Sequence, residues 1–230
     1  MLKQYFLKRE NHINNNKEFN IEEQQRFNIN DIVNWSKIVA KQNNLQKQTF
    51  RVLELGTKRS ILSSPTNSKN KFIDISNLEY IMTDYQEGID VDVVCDLHKT
   101  ENVFKNEYFD LILSFSTFEH LKYPQLCAHN LMKMLKVNGR ILIQTHQTFP
   151  LHGYKYDYFR FSREALKSIF SKKMNFNTIT SYFTGNCAII PHNKMNVWND
   201  VAESYLNVVY IGEKIGKTPN EYIYDIDSEN

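Results

Sequence analysis

The sequence predicts an α/β fold of three layers, with helices on both faces of a twisted, mostly parallel sheet. Short apolar runs that end on glycine or an acidic residue recur between about residue 50 and residue 145. Helical periodicity falls before and between them, near 31–44 and 124–135. The runs are nearly continuous in Val, Ile and Leu, the pattern of strands covered on both faces.

Residues 1–30, rich in Asn, Gln and Lys, read as a polar lead-in with at most short helices. Asp31 is the expected N-cap of a helix ending near Asn44, with Ile32, Trp35, Ile38 and Val39 on its apolar face. Phe50–Gly56 reads as a buried strand, Tyr80–Asp84 as a second and Val91–Asp96 as a third. The crossover from Ile61 to Leu78 contains Ser63-Ser64-Pro65 and is a poor helix, so an irregular connection is expected. Phe109–Phe115 is the most apolar strand. Pro124 suits the first turn of a helix with the stripe Cys127, Leu131, Met134 and Leu135, which Asn138-Gly139 ends before the strand Arg140–Thr145. Ser162 caps a helix through Phe170, and Phe176–Tyr182 and Tyr205–Glu213 close the fold as strands. Residues 31–215 therefore read as one domain and 216–230 as a polar, acidic tail.

Composition narrows the function. The 230 residues carry 28 Lys+Arg against 26 Asp+Glu, a formal charge of +2, which argues against nucleic acid or an acidic membrane surface as partner. A small-molecule partner is expected. The 3 cysteines, Cys95, Cys127 and Cys187, form no C-x-x-C pair, which disfavours a disulfide framework and fits a reduced cytoplasm. No apolar run approaches the ~20 residues that span a bilayer, and the first ten residues lack the apolar centre of a signal peptide.

In a parallel sheet, ligands bind beyond the carboxyl ends of the strands, where the strand order reverses. Glu54 with Gly56, Asp84, Asp96 and the segment Ser114 to His120 all fall there. A carboxylate closing the second strand can accept both hydroxyls of a ribose, and one closing the third can accept an adenine amine hydrogen. The plainer reading is that each strand-end acid caps a turn.

Val52-Leu53-Glu54-Leu55-Gly56, Asp84, Val93-Val94-Cys95-Asp96-Leu97-His98, Phe109–Ser114, Phe118-Glu119-His120-Leu121 and Leu135–Arg140 together resemble a class I S-adenosylmethionine-dependent methyltransferase over roughly Thr49 to Tyr210. The run Pro150-Leu151-His152-Gly153-Tyr154-Lys155-Tyr156-Asp157-Tyr158-Phe159-Arg160-Phe161-Ser162 resembles a small bacterial branch met among surface-polysaccharide and nucleotide-sugar genes. The resemblance implies a Rossmann-like three-layer sandwich with a seven-stranded sheet, its last strand antiparallel, and S-adenosyl-L-methionine as cofactor. It carries donor contacts onto Glu54, Gly56, Thr57, Lys58, Asp84, Tyr85, Asp96, Leu97, His98, Ser114, Phe115, Ser116 and His120. The family's first loop usually has two further glycines, where this chain has Lys58 and Ser60. A sulfonium donor has no pyrophosphate needing close backbone approach, and Lys58 or Arg59 could meet its methionine carboxylate. The missing G-x-G-x-x-G also argues against a dehydrogenase.

Methyl transfer to a hydroxyl needs an aligned nucleophile and a base. His152 is the expected base, with His146 second; His98 and His120 lie on the same edge. Tyr154, Tyr156, Asp157, Tyr158 and Arg160 are the expected acceptor contacts, through ring stacking and a bidentate phosphate contact; the alternative makes Tyr158, Phe159 and Phe161 core residues that anchor the helix from Ser162, and Arg160 a partner of Asp157. A metal at His146, His152 and Asp157 matches no standard ligand spacing, so none is expected. The expected reaction is O-methylation of a sugar, nucleotide sugar or related phosphorylated precursor, such as a phosphoramidate, of a bacterial surface polysaccharide. The alternatives are a non-catalytic scaffold with a degenerate donor loop, N-methylation of another small molecule, and nucleic-acid methylation, which the low charge disfavours. A homodimer is compatible with the sequence.

Overall fold

The structure, a computed structural model, describes residues 28–59, 65, 67–100, 103–190 and 202–226. Most of the polar lead-in, part of the Ile61–Leu78 crossover and the last residues of the tail lie outside the described residues. The helices are α1 (Ile29–Leu45), α2 (Pro124–Met134) and α3 (Arg163–Ile169). The strands are β1 (Phe50–Leu55), β2 (Leu78–Asp84), β3 (Val93–Val94), β4 (Phe109–Phe115), β5 (Leu135–His146), β6 (Phe176–Ile189) and β7 (Ala202–Lys214). They form one seven-stranded sheet in the order β3-β2-β1-β4-β5-β7-β6. β7, the last strand, runs antiparallel to both its neighbours, and β3 through β5 pair in parallel. This is the Rossmann-like α/β architecture that the sequence predicts.

Side-chain alternation splits the core in two. Leu53 and Leu55 of β1 and Ile112 of β4 pack with Cys127 and Leu131 of α2 and Leu166 of α3, whereas Phe50, Val52, Leu111 and Leu113 pack with Ile32 and Ala40 of α1. Asp110, at the irregular start of β4, ties the layers together. Its carboxylate accepts from the Arg51 N–H at 2.8 Å, from Lys136 Nζ at 2.8 Å and from Asn43 Nδ2 at 3.2 Å.

Several boundaries differ from expectation for local reasons. Asn28, not Asp31, caps α1, and Asp31 completes the capping box by accepting the Asn28 N–H at 2.6 Å. Ile38 is exposed, because the buried face runs through Ile32, Val33, Ser36 and Ala40. The α2 helix stops at Met134, so Leu135 opens β5 and Asn138, at φ 66°, lies within that strand. Buried Lys214 reaches the end of α2 and donates from Nζ to the Met132 and Leu135 carbonyls, at 3.0 and 2.7 Å. The segment after it, expected as a tail, packs here as well: Thr218 is buried and Tyr222 donates to the Ile169 carbonyl. Among the described residues, no helix is long and apolar enough to cross a membrane.

His129 of α2 is buried, and its Nε2–H donates to the Pro219 carbonyl at 2.8 Å. Burial depresses its pKa, helped by nearby Lys133 and opposed by the Pro219 bond. The unfolded chain therefore takes up a proton first as pH falls through ~6.5, so His129 lowers stability on acidification. Melting temperature is expected to fall from pH 7.5 to 5.5, and His129→Gln to fall less over the same range in scanning calorimetry.

Candidate functional site

Strand order reverses between β1 and β4, and a cavity of about 470 Å³ opens beyond the strand ends there. That volume is in the range of small-molecule sites, ~300–1,000 Å³. Gly56 follows β1 at φ +69°, and a Cβ there would stand 2.2 Å from Thr117 Oγ1, so the residue type is required by both backbone and space. Asp84, closing β2, accepts the Lys58 N–H at 3.1 Å and the Gln86 N–H at 3.0 Å, which curls both loops toward the cavity. Asp96 accepts the His98 N–H at 3.0 Å and holds its Nδ1 at 2.8 Å. Burial alone would raise the Asp96 pKa; the His98 contacts outweigh it and keep the carboxylate ionised.

Of the expected donor residues, Gly56, Asp84, Tyr85, Asp96, Leu97, His98, Ser116 and His120 line the cavity. Of the expected acceptor residues, Tyr156 and Tyr158 line it, the former 6.3 Å from the Tyr85 ring.

The others face elsewhere. Glu54 shares the parity of Phe50 and Val52 and so points to the α1 side, where Tyr80 donates to it at 2.5 Å and the Ser68 N–H at 2.9 Å. Burial raises its pKa against those bonds. Thr57 donates to the Asp90 carbonyl. Lys58 Nζ meets Gln86 Oε1, and Arg59 pairs with Asp90 at 2.8 Å. Neither cation faces the cavity; Lys122 does, a residue that sequence reasoning missed. Ser114 is fully buried, and Phe115 packs against the α1-side core. Tyr154 is exposed. Arg160 is engaged bidentately by Asp157 and donates to the Phe149 and Pro150 carbonyls, so it braces the loop instead of offering a phosphate contact. Arg160 in turn holds the Asp157 carboxyl well below the usual carboxylate range.

His152 adjoins the cavity-lining His120, and His146 adjoins His152, though neither is itself a lining residue. The His152 ring lies 4.8 Å from that of His120 and 5.0 Å from that of His146, while His146 stacks on Phe149 at 4.1 Å. Glu119, also missed from sequence, is fully buried beneath them. Its Oε2 accepts from Thr145 at 2.6 Å, and its Oε1 lies 3.0 Å from His146 Nε2 but outside hydrogen-bonding geometry. Its signal was a carboxylate between Phe118 and Leu121, both buried. Leu55, Thr83, Gln86, Cys95, Thr117, Leu121 and Gly153 complete the lining. Burial pushes the Cys95 thiol up to about 11, with Asp96 adding to the shift, so it is an inert wall residue.

A seven-stranded sheet of this order, with a strand-end cavity edged by acids, defines a methyltransferase-type α/β enzyme. The chain belongs to the methyltransferase-domain family, whose family model matches residues 23–181. Among solved structures it is similar to a SAM-dependent methyltransferase from Archaeoglobus fulgidus, at 15% identity and TM-score 0.51, covering 78% of this chain and 94% of that one. It is also similar to the Burkholderia thailandensis 1,6-didemethyltoxoflavin-N1-methyltransferase, solved with 1,6-didemethyltoxoflavin and S-adenosylhomocysteine. There the identity is 13% and the TM-score 0.51, over 80% of this chain and 78% of that one. No curated protein matches the sequence.

Proposed function

We propose that the chain transfers the methyl group of S-adenosylmethionine to a hydroxyl of a small polar acceptor, a sugar, nucleotide sugar or related phosphorylated precursor of a bacterial surface polysaccharide. One observation supports this most: Asp84, at the end of β2, and Asp96, two residues past the neighbouring β3, line the same cavity as His120, Tyr156 and Tyr158. Asp84 accepts the ribose hydroxyls; Asp96 and the Leu97 backbone meet adenine; the Gly56 turn leaves room for the rest of the donor. The acceptor sits on the imidazole side, with Tyr156 and Tyr158 over its ring. As its oxygen bonds the methyl carbon, the carbon–sulfur bond breaks and a neutral thioether leaves. His152 takes the hydroxyl proton, with His146 behind it.

Calorimetric titration with S-adenosylhomocysteine tests the donor site. Saturable binding is expected, and absence of heat would favour a scaffold that no longer holds the donor. A mass gain of one methylene on a hydroxyl-bearing member of a sugar, nucleotide-sugar and phosphate-ester panel names the acceptor class. A gain only on amines would convert the reading to N-methylation.

A further inference from the structure

We propose that Glu119, His120 and His152 form a binding site for a divalent first-row transition ion of the zinc type, at the edge of the donor cavity. One ring nitrogen of each imidazole and one Glu119 oxygen lie within 4.8 Å of one another. Bonds of ~2.0–2.2 Å put ligands across such an ion no more than about 4.4 Å apart, so small side-chain rotations bring the three into range.

Two independent features point to a ligand. Glu119 is fully buried, yet only its Oε2 is hydrogen bonded, by Thr145; Oε1 has no hydrogen-bond partner. A half-satisfied buried carboxylate is costly unless a cation completes it. The imidazoles are also oriented as metal ligands are. His120 Nδ1 faces the Tyr156 carbonyl at 2.9 Å and His152 Nδ1 the Pro150 carbonyl at 3.2 Å. A carbonyl only accepts, so each Nδ1 carries the hydrogen and each Nε2 keeps its lone pair, the outer-shell arrangement that fixes histidine ligands. His146 differs: its Nδ1 faces Asn207 Oδ1 at 3.0 Å and its Nε2 lies 3.0 Å from Glu119 Oε1, an ion-pair contact without hydrogen-bond geometry that a bound metal ion would displace.

Two imidazoles and one carboxylate form a donor set that leaves coordination positions open, and His120 lines the cavity. An acceptor hydroxyl bound there would lose its proton to solvent more readily before attacking the methyl carbon. Only this last step rests on the methyltransferase reading; binding of the ion does not. In the loaded protein His152 is a ligand, and proton removal passes from its lone pair to the acidified hydroxyl.

The test uses untagged, chelator-stripped full-length protein, with zinc content measured after equilibrium dialysis and visible absorption after cobalt substitution. One equivalent of zinc is expected, with affinity at least tenfold weaker in His120→Ala and in His152→Ala. Both positions are partly exposed, so the variants keep the fold, checked by circular dichroism. No stoichiometric uptake, or uptake untouched by both substitutions, overturns the site. S-adenosylhomocysteine titration of the same samples separates the two readings: donor heat without zinc sinks the metal site alone, and zinc without donor heat sinks the donor reading alone.

Discussion

His152→Ala is expected to lower turnover by about 10²–10⁴ while leaving S-adenosylhomocysteine affinity unchanged. The side chain sits outside the cavity lining, so donor contacts survive its removal. Its backbone N–H still donates to Asp157 at 2.9 Å, and Asp157 stays locked to Arg160, so the loop keeps its shape. The loss should appear in kcat, because proton removal is needed only as the new bond forms. A raised KM with kcat intact would assign His152 to acceptor positioning instead. Wild-type kinetics would remove it from the reaction and pass the test to His146.

Asp84→Ala is expected to weaken donor binding at least tenfold. A ribose diol on a carboxylate makes two charge-assisted hydrogen bonds, each ~1.5–3 kcal/mol. The same carboxylate tethers the Lys58 and Gln86 amides, so its removal also releases the loops that follow β1 and β2. Asp84→Asn separates the two effects, since it retains an acceptor for the amides but not the charge. Asp96→Ala should act in the same direction and less, an adenine amine being one neutral donor. Calorimetry reads all three, and unchanged affinity in Asp84→Ala excludes the ribose role.

Sequence carried the fold well because strand burial and strand ends are local signals. Phe109–Phe115 was readable residue for residue from its apolar run, and the acids closing β2 and the third strand region marked the cavity wall. What sequence hid was direction and pairing. Glu54 belongs to the quoted motif, but alternation along β1 turns it toward Tyr80. Arg160 could equally meet a substrate phosphate or Asp157 on sequence grounds; three residues apart on a folded loop, the two take each other. Lys122 and Glu119 were passed over because nothing local distinguishes a cavity-lining lysine from a solvated one, or a buried carboxylate from a helix-start acid. The shared position of Glu119, His120 and His152 is a product of the loop that returns over the short 3-10 turn Phe118–His120, a contact between residues more than thirty apart.

The brevity of β3 has a further consequence. Only Thr83–Val93 and Asp84–Val94 pair along it, and beyond them the wall carrying Cys95, Asp96 and Leu97 is held by few backbone bonds, among them Cys95 N–H to the Asp84 carbonyl. That edge can open without disturbing the central strands, so its amides exchange hydrogen with solvent through a local fluctuation while those of β1 and β4 wait for global unfolding. A ligand bridging Asp84 and Asp96 closes this opening and slows exchange there by the ratio of its concentration to its dissociation constant. The wall proposed to recognise the donor is thus also the segment whose protection would report how much of the protein is occupied.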